Sequence, residues 1–263
     1  MALLRSDDSV EIRHLSDFSV NGRCKNFISC IRKIPITFWI IGTASLLILL
    51  LIFMPQDARE ILWHRIKSNV FLTVLITTFC VVSVSLVWKT GEKIDVWIFT
   101  VFNVWGDRPP WVDWTMLAMT QIGSGVFSFL VAVYFYLSGN RIFAYEIALG
   151  TLSLWLVVES LKFLIRRPRP YVSLKNIRIV GNRAGGHSFP SGHTSQAFFM
   201  ASLFSHYFQL DLIDILILYI LALAVGVTRM YVGMHYPRDV IGGSMLGTAW
   251  GLFGVMVNNY LFR

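Results

Sequence analysis

The segment Phe189-Pro190-Ser191-Gly192-His193 leads from a polar loop towards the apolar run Ala197–Leu203. Pro, Ser and Gly are turn and cap residues, so the segment predicts the start of a helix. Free backbone N–H groups at a helix start favour an anion, and Gly192 would let that anion approach the backbone. His193 lies beside it and can exchange a proton near neutral pH. Taken alone, such a short match more often marks an ordinary loop-to-helix turn.

The composition indicates a polytopic membrane protein. Of the 263 residues, 55% are hydrophobic and 14% are charged, whereas a soluble domain carries about 25% charged residues. The net charge is +8, but no basic stripe lies on an amphipathic or low-complexity segment, so we expect no nucleic acid. The expected partners are the bilayer and anionic lipid head groups or phosphates. Three cysteines without a Cys/His cluster indicate neither a zinc site nor a disulfide framework.

The apolar segments predict an all-α, polytopic membrane helical bundle with three parts. These are a polar N-terminal tail (1–35), an extra transmembrane span with its connection (36–67) and a six-span core (68–263). The predicted spans are Ile36–Met54, Ser68–Trp88, Trp114–Leu137, Ile142–Ile165, Thr194–Phe208, Ile215–Thr228 and Val240–Phe262. Between the second and third spans, Lys89–Asp95 is polar and the aromatic-rich Val96–Trp105 is expected in the membrane interface. Small residues in the last span, including Gly243 and Gly247, suit close helix packing.

Two of the three segments that carry chemistry lie before and at the start of the fifth span. In Lys162-x6-Arg169-Pro170, the i, i+7 spacing predicts that Lys162 and Arg169 share one helix face. The second segment is Pro190–His193. The nearby Arg166, Arg167 and His187 are expected to be solvated loop charges. Lys162 could equally be a membrane-flanking cation, although charges at span depth are functional candidates by default.

The third segment is Arg229-x5-His235-x3-Asp239, which precedes the last span. Pro237 suits the first position of a new helix, and Asp239 can then reach back to the imidazole of His235. A carboxylate on one ring nitrogen leaves the other free as a base or nucleophile, although such a pair can also be structural. Because alternate spans change direction, topology predicts that all three segments lie at one membrane face.

These three segments together resemble the type 2 phosphatidic acid phosphatase superfamily, integral lipid phosphatases related in fold to vanadium haloperoxidases and bacterial acid phosphatases. The family pattern is K-x6-R-P, P-S-G-H and S-R-x5-H-x3-D, which corresponds here to Lys162–Pro170, Pro190–His193 and Thr228–Asp239. The resemblance covers Ser68–Phe262 and is specific, because three separated motifs agree in order and spacing. Thr228 replaces the usual Ser, and the extra first span is a further departure.

The resemblance implies a metal-independent phosphoric monoester or diphosphate hydrolase that works through a phosphohistidine. His235 would be the nucleophile, Asp239 would orient it, and His193 would protonate the leaving oxygen and later activate water. The implied phosphate ligands are Lys162, Arg169, Ser191, Gly192 and Arg229. Three cations and the backbone dipoles can balance the transition-state charge, so no metal and no other cofactor is expected.

The expected substrate is a lipid phosphate that enters the bundle from the bilayer. Isoprenyl diphosphates such as undecaprenyl diphosphate, phosphatidylglycerol phosphate, phosphatidic acid and diacylglycerol diphosphate all fit. One alternative is a lipid phosphotransferase with the same chemistry. Another is a non-catalytic protein that binds or transports lipid phosphates, although such a protein would be expected to lose a catalytic group. The oligomeric state is not indicated.

Two indications of the orientation in the cell membrane disagree. The resemblance implies an active site on the extracytoplasmic face, which is our expectation. The six Lys/Arg residues of the tail instead indicate a cytoplasmic N-terminus, and seven spans cannot satisfy both. Either the tail is outside, or Ile36–Met54 does not fully cross, or the site faces the cytoplasm.

Overall fold

The computed structural model describes residues 56, 60, 68–104 and 108–261. The predicted tail and the extra span Ile36–Met54 lie outside these residues. Within the described part the regular structure is helical, which confirms the predicted fold class. The helices are α1 (Val70–Ser85), α2 (Lys89–Asn103), α3 (Pro110–Gln121), α4 (Gly125–Leu137), α5 (Arg141–Ile165), α6 (Pro170–Ser173), α7 (Gly192–Tyr207), α8 (Leu212–Tyr231) and α9 (Pro237–Leu261).

Helix length and apolar composition agree with a membrane protein. Two helical segments are long and apolar enough to cross a bilayer, Arg141–Ser173 and Leu212–Tyr231. Two bent pairs also qualify when each pair is taken as one span. These are α1 with α2, bent by 98°, and α3 with α4, bent by 55°. The described residues therefore contain two to four candidate spans by these criteria.

The centre of the bundle is the contact between α7 and α9, where glycines allow the backbones to approach closely. A Cβ atom added to Gly247 would lie 2.1 Å from the carbonyl oxygen of Ser195, and one added to Gly243 would lie 2.8 Å from that of Ser191. No side chain fits at such distances, so the small residues predicted for close packing do pack closely. This contact fixes the start of α7 against the start of α9.

The predicted third span is not one continuous helix, which corrects the sequence-based boundaries. The chain bends between Gln121 and Gly125, where Gly123 packs on the carbonyl oxygen of His193; an added Cβ would lie only 2.4 Å from that atom. Ser124 then starts α4 by accepting a hydrogen bond from Phe127 N at 3.1 Å. A long-range backbone contact and a local cap together set the break.

The polar segment and the aromatic segment after the second span form the single helix α2. Asp95, Phe99 and Asn103 recur every four residues, and all three are buried. Asn103 donates through Nδ2 to the carbonyl oxygens of Arg178 and Tyr231, each at 2.8 Å. The helix forms because this mixed stripe faces the protein while Trp97 remains exposed.

Candidate active site

His235 lies in the turn between α8 and α9, and the residue is 2% exposed. The turn is closed by Met234 N and His235 N, which both donate to the Arg229 carbonyl oxygen at 3.1 and 3.2 Å. Nη1 of Arg169 lies 3.3 Å from Nε2 of His235. An arginine can only donate, so this contact makes Nε2 the acceptor and leaves the ring proton on Nδ1. The lone pair of Nε2 therefore points to a cationic group.

Burial lowers the pKa of His235 to about 3, although the Asp239 carboxylate opposes this effect. The ring is consequently neutral at physiological pH, the state that a nucleophile needs. Its Nδ1 lies 3.7 Å from Asp239 Oδ2 and 3.5 Å from Ser188 Oγ. Asp239 thus faces the protonated side of the ring, as its i+4 position predicted.

Asp239, in the first turn of α9, is completely buried and accepts from three chain segments. Ser188 Oγ and Tyr236 N donate to Oδ2, the latter at 2.8 Å. Arg167 Nη1 donates to Oδ1 at 2.6 Å. The orientation of this carboxylate is therefore fixed independently of the histidine.

Arg169 follows the end of α5 and occupies the N-cap position of the short helix α6, without a capping hydrogen bond from its side chain. It does not share a helix face with Lys162, contrary to the spacing argument. The helix α5 ends at Ile165, and Arg166 turns the chain with a φ of 53° before Pro168 and Pro170. Arg169 reaches the site from this extended segment, and Nη2 also donates to Gly185 O at 2.9 Å.

The start of α7 lies next to this arginine. Ser191 is its N-cap residue, but the hydroxyl does not cap the helix and instead accepts from Thr194 Oγ1 at 2.9 Å. Ser191 N donates to Asp239 O at 3.0 Å, which joins the second and third motifs. A Cβ atom added to Gly192 would lie 3.7 Å from Lys162 Nζ, so the glycine leaves a gap beside the lysine.

Burial lowers the pKa of His193 to about 3, and the nearby Arg229, His235, Lys162 and Arg169 act in the same direction. Arg229 donates through Nη1 to Thr120 Oγ1 at 2.8 Å, and its buried Nε has no hydrogen-bond partner in the described part of the chain. The structure therefore brings all three motifs together, with three cations around two histidines. Such an arrangement suits a group with several anionic oxygens.

Four residues next to the site carry no motif signal: Ser188, Arg167, Asp95 and Thr120. The prediction that Arg167 is a solvated loop charge is wrong, because its side chain is 11% exposed and forms ion pairs with Asp95 and Asp239. The only sequence signal for Asp95 is its place in the segment Lys89–Asp95, which is predicted only to be polar. By contrast, Arg166 and His187 are partly exposed, which agrees with the prediction of solvated loop residues. Arg166 donates through Nε to Phe163 O at 3.0 Å.

Residues 143–263 match the PAP2 superfamily, which agrees with the resemblance that the three motifs carry. Over 67 residues it is 36% identical to the lipid A 4'-phosphatase of Bacteroides thetaiotaomicron, covering 26% of this chain but only 29% of that relative. It is 25% identical to a putative undecaprenyl-diphosphatase of Escherichia coli over 158 residues, 59% of this chain and 78% of that protein.

The fold is also similar to that of a solved transmembrane PAP2-type enzyme. The crystal structure of the phosphatidylglycerolphosphate phosphatase from Bacillus subtilis superposes with a TM-score of 0.63. The alignment covers 73% of this chain and 98% of that one, at 22% sequence identity. The described helices thus have a structural counterpart in a membrane protein.

Proposed function

We propose that this protein is a membrane lipid phosphatase that hydrolyses a phosphate or diphosphate head group through a phosphohistidine at His235. The observation that carries the proposal is the neutral imidazole of His235, whose Nε2 lone pair faces the Arg169 guanidinium. The Arg169 cation would attract the oxygens of a phosphoryl group. A nucleophile whose lone pair faces this cation therefore faces the place where the phosphoryl group would bind.

In the first step, Nε2 of His235 attacks phosphorus and forms the N–P bond as the bond from phosphorus to the leaving oxygen breaks. The imidazole becomes positive, and the Asp239 carboxylate stabilises this charge. Lys162, Arg169 and Arg229 hold the phosphoryl oxygens, together with backbone N–H groups around Ser191 and Gly192. Because the three side chains supply the positive charge, the proposal requires no metal ion.

His193 completes the reaction as acid and then base. The negative charge of the bound phosphate favours the protonated form of His193. The protonated ring gives its proton to the leaving oxygen, so the lipid alcohol or lipid monophosphate departs neutral at that oxygen. It then takes a proton from water, whose oxygen attacks phosphorus and breaks the N–P bond. Inorganic phosphate leaves, and both histidines return to their starting states.

A lipid substrate is supported by the position of the site at one end of an apolar helix bundle. The relatives' names include a lipid A phosphatase and an undecaprenyl-diphosphatase, so phosphorylated lipids with different anchors fit the same site chemistry. We include isoprenyl diphosphates, phosphatidylglycerol phosphate and phosphatidic acid in the substrate class.

The direct test is phosphate release by the purified protein from a panel of these lipids in detergent. We expect release from at least one lipid, inhibition by vanadate as a transition-state mimic, and no loss of activity in excess EDTA. Binding of a lipid phosphate without release would favour the non-catalytic alternative. Loss of activity in EDTA that magnesium restores would contradict the metal-independent mechanism.

We also propose that the site lies on the extracytoplasmic face. Asn182 is exposed in the loop at the site end, and Ser138 is exposed at the other end of α5. In a variant without the native cysteines, Asn182→Cys should react with a membrane-impermeant maleimide on intact cells. Ser138→Cys should react only after the cells are opened, and the reverse pattern would place the site in the cytoplasm.

A further inference from the structure

The buried carboxylate of Asp95 binds two arginines from distant parts of the chain. Arg238 donates to it through Nε at 2.7 Å and through its backbone N at 3.1 Å. Arg167 donates to the same carboxylate through Nη2. Asp95 is 1% exposed, so its charge is balanced by these two partners and not by water.

Arg167 joins this carboxylate to the one that faces His235. Its Nη1 donates to Asp239 Oδ1, while its guanidinium carbon lies 4.4 Å from the ring centroid of Tyr236. The planar guanidinium thus donates to one carboxylate through each Nη atom and packs its face on an aromatic ring, a combination that an arginine can make and a lysine cannot. The ion pairs form the series Arg238–Asp95–Arg167–Asp239, in which positive and negative charges alternate and cancel.

The contacts of Asp239 show what Arg167 adds. Ser188 and Tyr236 N occupy Oδ2, the oxygen that also faces Nδ1 of His235. Arg167 occupies Oδ1. Holding both oxygens prevents rotation of the carboxylate, so Oδ2 stays directed at the protonated side of the imidazole and Nε2 stays directed at Arg169.

We propose that Arg167 is a positioning residue for the nucleophile, acting through Asp239, and that Asp95 on α2 fixes Arg167 in turn. This inference rests on the proposed function. Among the described residues, the Arg167 side chain forms its ion pairs with Asp95 and Asp239 and not with the proposed phosphate ligands. It should therefore affect the chemical step and not substrate binding. A misplacement of a reacting group by about 1 Å can cost on the order of 100-fold in rate.

The test compares Arg167→Gln, Arg167→Lys and Asp95→Asn with the matched control Arg166→Gln, measured by steady-state phosphate release. We expect Arg167→Gln to lower kcat about 10–100-fold with KM within about threefold. Arg167→Lys should recover part of kcat, because a lysine keeps the charge but cannot bridge both carboxylates. Asp95→Asn should lower kcat less than Arg167→Gln, and Arg166→Gln should match the wild type.

A second measurement does not depend on turnover. In protein labelled with ¹⁵N-histidine, the ring signals of His235 are assigned by their loss in His235→Gln. The wild type should show a neutral ring with the proton on Nδ1, and Arg167→Gln should show a mixture of tautomers. If Arg167→Gln does not fold, Arg167→Lys and Asp95→Asn are compared with the wild type in both measurements.

The outcomes separate the two proposals. If the wild type releases phosphate and His235→Ala does not, an unchanged kcat in Arg167→Gln overturns the positioning role alone. A raised KM at unchanged kcat would make Arg167 a binding residue and overturn it as well. If the wild type releases no phosphate from any lipid, the proposed function fails, and an unaltered His235 tautomer in Arg167→Gln would then overturn the positioning role independently.

Discussion

The site has two sides that are held in different ways. We call the part around His235, the proposed nucleophile, the nucleophile side and the part around Lys162 the lysine side. Asp239 is completely buried and accepts from donors on three separate segments, and His235 is 2% exposed. Lys162, at the end of α5, instead pairs with Glu159, whose side chain is 46% exposed, at 2.7 Å. The proposed nucleophile, which must be oriented towards phosphorus, is fixed by the fold. Lys162, which is proposed to supply only charge, is held by a partly hydrated ion pair.

The largest effect should come from removing the nucleophile. His235→Ala should abolish phosphate release, since loss of a covalent nucleophile costs orders of magnitude. His206→Ala is the matched control, because His206 lies in the last turn of α7 and contacts Ser202 O, away from the motifs. Residual activity of His235→Ala above about a tenth of the wild type would exclude the nucleophilic role.

A second variant separates the two histidines by step. With an aryl phosphate, whose leaving group needs no proton, His193→Ala should complete the first step and then stall for lack of a base. A labelled, acid-labile and hydroxylamine-sensitive phosphoenzyme should therefore accumulate in His193→Ala and not in His235→Ala. The measurement is gel detection after a quench that avoids acid. Label on His235→Ala would assign the nucleophile to another residue.

The close contact between α7 and α9, which holds the nucleophile side together, can be tested by adding one methyl group. Gly247→Ala forces a Cβ against Ser195 O and should destabilise the protein by about 1–3 kcal/mol. Gly254→Ala is the control, since its Cβ would meet Leu203 at an ordinary 3.9 Å. Thermal unfolding in detergent measures both, and equal melting temperatures would contradict the packing argument.

The buried state of His235 should also appear in the pH dependence of stability. Its pKa in the fold, about 3, lies below the ordinary value of 6.5, so the unfolded chain binds the proton first as pH falls. The contribution of His235 is fully present above pH 6.5 and is lost as the pH falls towards the folded value. The melting temperature should therefore decline more steeply below pH 6.5 in the wild type than in His235→Gln. Parallel curves would show that the ring is not held neutral.

The smallest effect is expected on the lysine side. Glu159→Gln removes the carboxylate that competes with a phosphate for Lys162, so KM should fall about two- to threefold with little change in kcat, as suits an exposed ion pair. Asp214→Asn removes the same charge at the opposite end of the bundle and should leave KM unchanged. A large fall in kcat for Glu159→Gln would show that the lysine side also needs a fixed geometry.

The sequence was sufficient for the all-helical bundle and for the convergence of the three motifs. Apolar length and motif order carry that information, because they depend on local composition and on the alternation of span direction. Lys162, Arg169, His193, Arg229, His235 and Asp239 are all found at one end of the bundle for this reason. Their chemical roles remain proposals.

The sequence was insufficient where a distant partner decides the outcome. Arg167 is largely shielded from solvent because Asp95, 72 residues earlier, and Asp239, 72 residues later, supply its counter-charges. No local pattern distinguishes it from Arg166. The break after α3 depends likewise on the His193 carbonyl that Gly123 contacts. Lys162 and Arg169 converge although α5 ends between them, because a left-handed residue and two prolines redirect the chain.

From the position of Asp95 we expect that the region carrying every motif does not fold on its own. The family-matching segment 143–263 contains Arg167 and Arg238 but neither Asp95 nor Thr120, the partner of Arg229. Leaving a buried charge without its partner costs about 3–5 kcal/mol. A polypeptide limited to that segment would keep all the motif residues and lose the counter-charge that Asp95 supplies to Arg167 and Arg238. Residues 68–140, supplied as a separate chain, would restore it by complementation.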